Sequence, residues 1–296
     1  MPHVEIEGHK VFLAESDPIP EIKAFHGRED ELSKCKAAWG IDQKSNLLCN
    51  KLFRLHFRLQ GAPGIGKNEI VYEIVRHVQK EQEVPFYMIQ GHEELTPEDL
   101  SLVLVPGKDS QNPESPSLIL RASKLATAIY QGGFFFFDEI NRVPERTLAP
   151  LASVLDNRQY LYSALAGMRI KSKSNKARLS FRFCCALNPE FSESGIGGLP
   201  GYIAERTLPV INVKPPKFAE LCKIIERNLN LSPDSEFLKE FRRRLNTKDY
   251  KETSIRQALS LVMYAMNHAG TNPNVSDAFD TAIESILGKS EAQNKT

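Results

Sequence analysis

Gly61-Ala62-Pro63-Gly64-Ile65-Gly66-Lys67-Asn68-Glu69 is the stretch on which the reading of this chain turns. It stands between a strand candidate, 54–60 (RLHFRLQ), and a helix candidate whose Ile70, Val71, Ile74, Val75 and Val78 share one face. A G-x-x-x-x-G-K run between strand and helix has the makings of a phosphate-binding loop. Its glycines let backbone N–H groups turn inward around phosphate oxygens, and the helix N-terminus adds partial positive charge. Lys67 supplies a point charge for the β- and γ-phosphates of a nucleoside triphosphate. Position 68 breaks the pattern, because Asn68 stands where Ser or Thr commonly holds Mg²⁺. An Asn carbonyl is a hard oxygen donor, but it is longer than a hydroxyl and carries a competing NH₂, so poor metal placement is expected.

Outward from the loop, further strand candidates are 84–90, 134–137, 181–187 and 207–213, with amphipathic segments between them. Strand and helix alternating at this spacing predict a parallel sheet with helices on both faces. The alternation Leu55/Phe57/Leu59 against His56/Arg58/Gln60 suits a half-exposed strand better than a central one. A helix is expected over 29–39, another starting at Thr96-Pro97-Glu98-Asp99, and a hairpin or insertion over 103–121. After Lys214-Pro215-Pro216 the strand signals stop, and helices are expected over 217–229, 234–245, 253–268 and 275–287. The division predicted is an extension (1–24), an α/β core (25–214) and a helical lid (215–296).

Phe134-Phe135-Phe136-Phe137-Asp138-Glu139 is an apolar run ending in two acids, as a strand buried on both faces would be. In a phosphate-loop context Asp138 would hold Mg²⁺ through water, and Glu139 would orient or deprotonate an attacking water.

With those residues in place, the stretch FFFFDEINRVPERTLAPLASVLDNRQY resembles the Walker B region of AAA+ ATPases of the MoxR and dynein-related branch. CALNP resembles sensor 1, GGLPGYIAERTLPV resembles the segment carrying the family's arginine finger, and Ser254-Ile255-Arg256 resembles the start of the sensor 2 helix. Phe25-His26-Gly27-Arg28-Glu29 resembles the segment that packs against the base. The resemblance implies an α/β P-loop NTPase, a three-layer parallel sheet followed by a small all-helical lid. It implies ATP and Mg²⁺ as cofactors, with Gly27, Gly61, Ala62, Pro63, Gly64, Ile65, Gly66, Lys67, Asn68, Glu69 and Arg256 at the nucleotide. Asn68 and Asp138 are implied at the metal, and Glu139, Asn188 and Arg206 in hydrolysis. A finger acting in trans implies a hexameric ring, and family members commonly remodel partner proteins, often ones carrying a von Willebrand A domain. Blander roles stay open: Asn188 as a turn residue, Arg206 as a surface arginine, Arg256 as a plain helix residue.

The 296 residues carry 38 Lys+Arg against 37 Asp+Glu, so no whole-chain field selects nucleic acid or an acidic membrane. A basic run, Arg169, Lys171, Lys173, Lys176, Arg178 and Arg182, is the support for a nucleic-acid motor; a solvated hairpin and its flanks is the expected reading. Arg242-Arg243-Arg244 is expected on the exposed side of a lid helix. The acidic, polar start MPHVEIEGHK is expected to be neither a signal nor a transit peptide, and no apolar run is long enough to span a membrane. Five cysteines without CxxC spacing fit a reducing cytoplasm rather than a disulfide framework, and Cys184-Cys185 read as core. A different class of function also remains open, a nucleotide-dependent scaffold that hydrolyses weakly, favoured by Asn68.

Overall fold

The computed structural model describes residues 3–21, 25–49, 53–108, 116–188, 198–245, 253–270 and 274–288. The chain divides into two compact units: Met1–Ile19, Glu29–Gly61 and Ile70–Asn212 in the first, and Pro20–Arg28, Ala62–Glu69 and Val213–Thr296 in the second.

A five-stranded sheet organises the first unit. Its strands are β3 (Phe57–Gln60), β4 (Phe86–Gln90), β7 (Phe134–Asp138), β10 (Arg182–Leu187) and β11 (Val210–Asn212), in the order β11-β3-β10-β7-β4. Every pairing in it is parallel, so helices must cover both faces. The four phenylalanines of β7 are fully buried, and successive side chains leave on opposite faces. Phe135 and Phe137 enter one core cluster with α3 (Lys124–Gln131). On the other face Phe134 and Phe57 meet the indole of Trp39, with centroids 4.9 and 5.0 Å away. Trp39 ends α1 (Glu29–Trp39) and donates its Nε1–H to Phe183 O at 3.1 Å. Cys184 and Cys185 are both buried, and desolvation pushes the Cys185 thiol up to about 12.

The strand after 54 differs from expectation. It begins at Phe57 and runs inside the sheet, between β11 and β10. Its polar Arg58 is satisfied rather than solvated: Nη1 donates to Ala204 O (2.5 Å), Thr207 O (3.3 Å) and Thr207 Oγ1 (3.2 Å). The outer edge of β4 is covered by the N-terminal segment, where Asp17 N donates to Phe86 O (2.8 Å) and Met88 N to Asp17 Oδ2 (2.7 Å). Such cover removes a free sheet edge.

A second sheet combines β1 (His3–Ile6), β2 (His9–Phe12), β5 (Leu102–Lys108) and β6 (Pro116–Ala122) in the order β1-β2-β6-β5. β5 and β6 form the antiparallel hairpin expected over 103–121, and residues 109–115 lie outside the described residues. Thr96–Asp99 starts no helix. Thr96 Oγ1 accepts from Asp99 N as a cap would, but at 3.3 Å and for a single turn. Leu102 already opens β5, so the chain has no room to continue the helix. A hairpin of β8 (Tyr160–Ser163) and β9 (Met168–Lys171) carries Arg169 and Lys171, exposed as expected, and α6 (Asn175–Ser180) follows. Arg182 departs from the solvated reading. It is 2% exposed and donates to Trp39 O, Leu179 O and Phe181 O.

In the second unit α8 (Phe218–Asn228), α9 (Glu236–Leu245), α10 (Ile255–Ala269) and α11 (Val275–Leu287) share a core of Leu221, Ile225, Phe241, Leu261 and Phe279. Ser254 starts α10 through a capping box: its Oγ accepts from Gln257 N (3.2 Å) while Gln257 Oε1 accepts from Ser254 N (3.0 Å). Arg244 is not on the exposed side of its helix. Its side chain is 7% exposed and pairs with Glu240 at 2.6 Å and with Asp280. No helix among the described residues is long and apolar enough to cross a membrane.

Candidate functional site

In the second unit the loop Ala62–Glu69 leads into α2 (Lys67–Glu81), and the start of a helix carries partial positive charge. Gly64 (φ +72°) and Gly66 (φ +91°) take backbone conformations that L side chains rarely adopt. Gly64 also has no room for a side chain: a Cβ there would lie 2.9 Å from Ser254 Oγ. Arg256 N approaches Gly64 O at 3.4 Å, so the start of α10 backs the loop. From the other side Arg28 Nη2 donates to Ile65 O (3.0 Å) and Nη1 to Lys214 O (2.5 Å). Gly27, just before it, is also left-handed at φ +73°. Lys67 is 8% exposed and its Nζ donates to Ala62 O at 2.9 Å. Residues 25–28, 62–69 and 254–256, far apart in the chain, are thus one assembly. Arg28 is the member that sequence reasoning did not single out; its place after Gly27 was the available signal.

In the first unit Asp138, Gln90, Leu187 and Gln60 end their parallel strands at one edge of the sheet. Gly61 follows there, its N approaching Leu187 O at 3.4 Å. Asp138 is 8% exposed, and its Oδ1 accepts from Glu139 N at 2.9 Å. Glu139 has φ +49°, a left-handed setting that costs a non-glycine residue about 1 kcal/mol or more. Its neighbours pack tightly around it. Gly91 N donates to Asp138 O at 2.8 Å, and a Cβ on Gly91 would sit 2.3 Å from Glu139 O. Glu139 Oε2 accepts from Arg142 Nη1 (2.9 Å) and Gln90 Nε2 (3.3 Å). Asn141, 6% exposed, clamps the backbone of Asn188: Nδ2 donates to Asn188 O (3.1 Å) and Oδ1 accepts from Asn188 N (3.4 Å). Asp138, Glu139 and Asn188 therefore gather at one edge, tied together by Gln90, Asn141 and Arg142, which sequence reasoning missed. The letters after Asp138-Glu139 were visible, but nothing in them says which neighbour each side chain meets.

Arg206 does not join that group. It follows α7 (Gly201–Ala204), donates Nη1 to Tyr202 O (2.7 Å), and precedes β11, in which Val210 pairs with Arg58. It therefore stands at the N-terminal edge of the sheet, and a five-residue strand such as β7 spans roughly 13 Å.

Among the described residues no cluster of three or more His, Cys, Asp or Glu would hold a metal by itself. That suits Mg²⁺, which commonly takes one or two protein oxygens and completes its shell with phosphates and water. Asp138 and Asn68 are hard-oxygen donors of this kind.

Residues 56–195 match the family model of the AAA domain, dynein-related subfamily. The chain has the AAA+ P-loop fold: a five-stranded parallel sheet flanked by helices, and a C-terminal helical region. Solved structures agree at fold level. RuvB of Thermotoga maritima, described as a Holliday junction branch migration motor, is 15% identical with a TM-score of 0.56, covering 91% of this chain and 74% of that one. NtrX from Brucella abortus, in complex with ADP, is 15% identical with a TM-score of 0.54, covering 92% of this chain and 58% of that one. No curated protein matches the chain.

Proposed function

We propose that this chain binds ATP with Mg²⁺ and hydrolyses it, and that it works as a MoxR-like remodelling ATPase on a partner protein. The observation that carries the reading is the loop with Gly64 and Gly66 left-handed and Lys67 opening α2, backed by Arg28 and the start of α10. Ala62 to Lys67 and the first turn of α2 receive the phosphates, and Arg256 serves the same nucleotide. Asn68, and Asp138 through a water, would hold Mg²⁺, which would supply charge for the phosphate oxygens. Glu139 takes or orients the proton of the attacking water, and Asn188, held through its backbone by Asn141, positions that water.

The wide separation of Arg206 from Glu139 within the first unit supports a finger acting on a neighbouring copy, hence a ring, with six copies expected from the MoxR resemblance. The client's class, a protein with a von Willebrand A domain, rests on the same resemblance, as does a cytoplasmic location. A scaffold with slow turnover is the second reading. It is favoured by Asn68 and by the hold of Arg142 and Gln90 on Glu139.

Calorimetry with Mg-ATP tests the binding step. Lys67→Ala removes a charge-assisted contact worth about 1.5–3 kcal/mol, so affinity should fall roughly ten- to hundred-fold. Equal affinity of the two proteins would remove the reading.

A further inference from the structure

A pocket of about 300 Å³ in the first unit sets Arg206 beside two arginines, Arg54 and Arg178, that the reading above leaves unused. Its lining includes Arg54, His56, Asp156, Gln159, Arg178 and Arg206. Arg54 and His56 lead into β3, Arg178 lies on α6 ahead of β10, and Arg206 precedes β11, so the pocket opens at the N-terminal edge of the sheet.

Its centre is a pair of like charges held together by neutral groups. Gln159 Oε1 accepts from both Arg54 Nη2 (3.0 Å) and Arg178 Nε (3.1 Å). Arg54 Nη1 donates to Arg178 O, and Arg178 Nη2 to Asn157 O at 3.1 Å. Gln159 is 9% exposed and left-handed at φ +45°, a setting that costs a non-glycine residue about 1 kcal/mol or more. A glutamate at 159 would tie the same two arginines more strongly, because charge-assisted bonds are the stronger ones. With a glutamine the tie is made and the positive charge survives.

The nearby acids do not cancel it. Asp156 is engaged by Arg158 Nη2 at 2.6 Å and Nε at 2.8 Å and otherwise feels Arg206 at the rim rather than the central pair, and Glu205 stands on the exposed rim. Each guanidinium has five N–H donors, and among the described residues most of those on Arg54, Arg178 and Arg206 have no partner. His56 adds a buried Nδ1 without a hydrogen-bond partner among the described residues. Burial, then the charge of Arg178, lowers the pKa of Arg54, the mark of a cation held without its counter-ion.

We propose that this pocket binds a phosphate group, with Arg54 and Arg178 as its principal donors and Arg206 at its rim. Planar, forked guanidiniums suit a phosphate's several oxygens. The phosphate belongs to a nucleotide held by a second copy of the chain or is free in solution. The first source rests on the nucleotide reading, whereas the site itself does not.

The test titrates inorganic pyrophosphate into the full chain saturated with ADP, by calorimetry. The wild type should bind. Gln159→Glu, which offsets one of the two positive charges while preserving the tie, and Arg178→Gln, which removes one at an exposed position, should each weaken binding about ten-fold or more. No binding by the wild type, or undiminished binding by either variant, overturns the proposal. ADP affinity in the same samples judges the nucleotide reading separately, because none of the three arginines belongs to the loop. The source is read from protein concentration, in the presence of a non-hydrolysable ATP analogue. Pyrophosphate affinity that falls as the protein is concentrated identifies a second copy's nucleotide, and affinity independent of concentration identifies free phosphate.

Discussion

Replacing Gly64 with alanine isolates what the loop's shape contributes to nucleotide binding. Two costs are distinct in the structure. Alanine at φ +72° pays the left-handed penalty, about 1–2 kcal/mol. Its Cβ would also meet Ser254 Oγ at 2.9 Å and Ser254 Cβ at 3.0 Å, an overpacking cost of about 1–3 kcal/mol. Gly66→Ala is the control, because φ is +91° but the nearest atom, Ile255 Cδ1, lies at an ordinary 3.7 Å. If ADP requires this backbone, calorimetric ADP affinity should fall roughly five- to thirty-fold in Gly66→Ala and further in Gly64→Ala. Ser254→Gly removes both clashing atoms and costs only a few tenths of a kcal/mol as a cap. The double variant Gly64→Ala/Ser254→Gly should therefore recover about 1–3 kcal/mol relative to Gly64→Ala. Gly64→Ala no worse than Gly66→Ala, or no recovery in the double variant, would refute the argument.

The structure carries three further expectations. Burial, then the charges of Arg54 and Arg182, holds His56 down to about 3 from its ordinary 6.5. The folded form thus refuses a proton that the unfolded chain accepts. The contribution of His56 to stability is complete above pH 6.5 and is lost toward pH 3, by up to about 1.4 kcal/mol per pH unit. Urea midpoints between pH 7.5 and pH 5 (about one pH unit either side of an ordinary His) should fall more steeply for the wild type than for His56→Phe; parallel curves would contradict this. The half-exposed pair of Arg142 with Glu139 is worth about 0.3–1 kcal/mol, so Arg142→Ala should raise basal phosphate release by roughly two- to five-fold, and a fall would show that the pair aids catalysis. Subunit mixing tests Arg206: Arg206→Ala and Glu139→Gln, each inactive, should recover activity when mixed if the finger acts in trans, and mixed rings without recovery would make Arg206 structural.

Parts of this molecule were legible because their chemistry is local. Glycines at 64 and 66 announce left-handed backbone, four phenylalanines announce a strand buried on both faces, and Pro215-Pro216 marks the end of the strands. Other parts depend on partners far along the chain. The strands β1 and β2 are four residues each and acquire their place only through pairing, β1 with β2 and β2 with β6. Arg182 and Arg58 look like surface charge in sequence, yet backbone carbonyls supplied by distant segments satisfy both. At the candidate site the loop and the acidic pair stood out as motifs. Gln90, Asn141 and Arg142 did not, because a hydrogen bond between side chains on separate elements leaves no spacing to read. Thr96 shows the reverse error: cap chemistry was present, but without chain length to propagate, one turn is all it produced.

Phosphate release from Mg-ATP by the purified chain, wild type beside Glu139→Gln, tests the central claim most directly. The wild type should turn over. Glu139→Gln should bind ATP as tightly while releasing phosphate roughly 10²–10⁴ times more slowly, the usual contribution of a positioned proton acceptor. Equal release by the two proteins, or none by the wild type at any Mg²⁺ concentration, would contradict it.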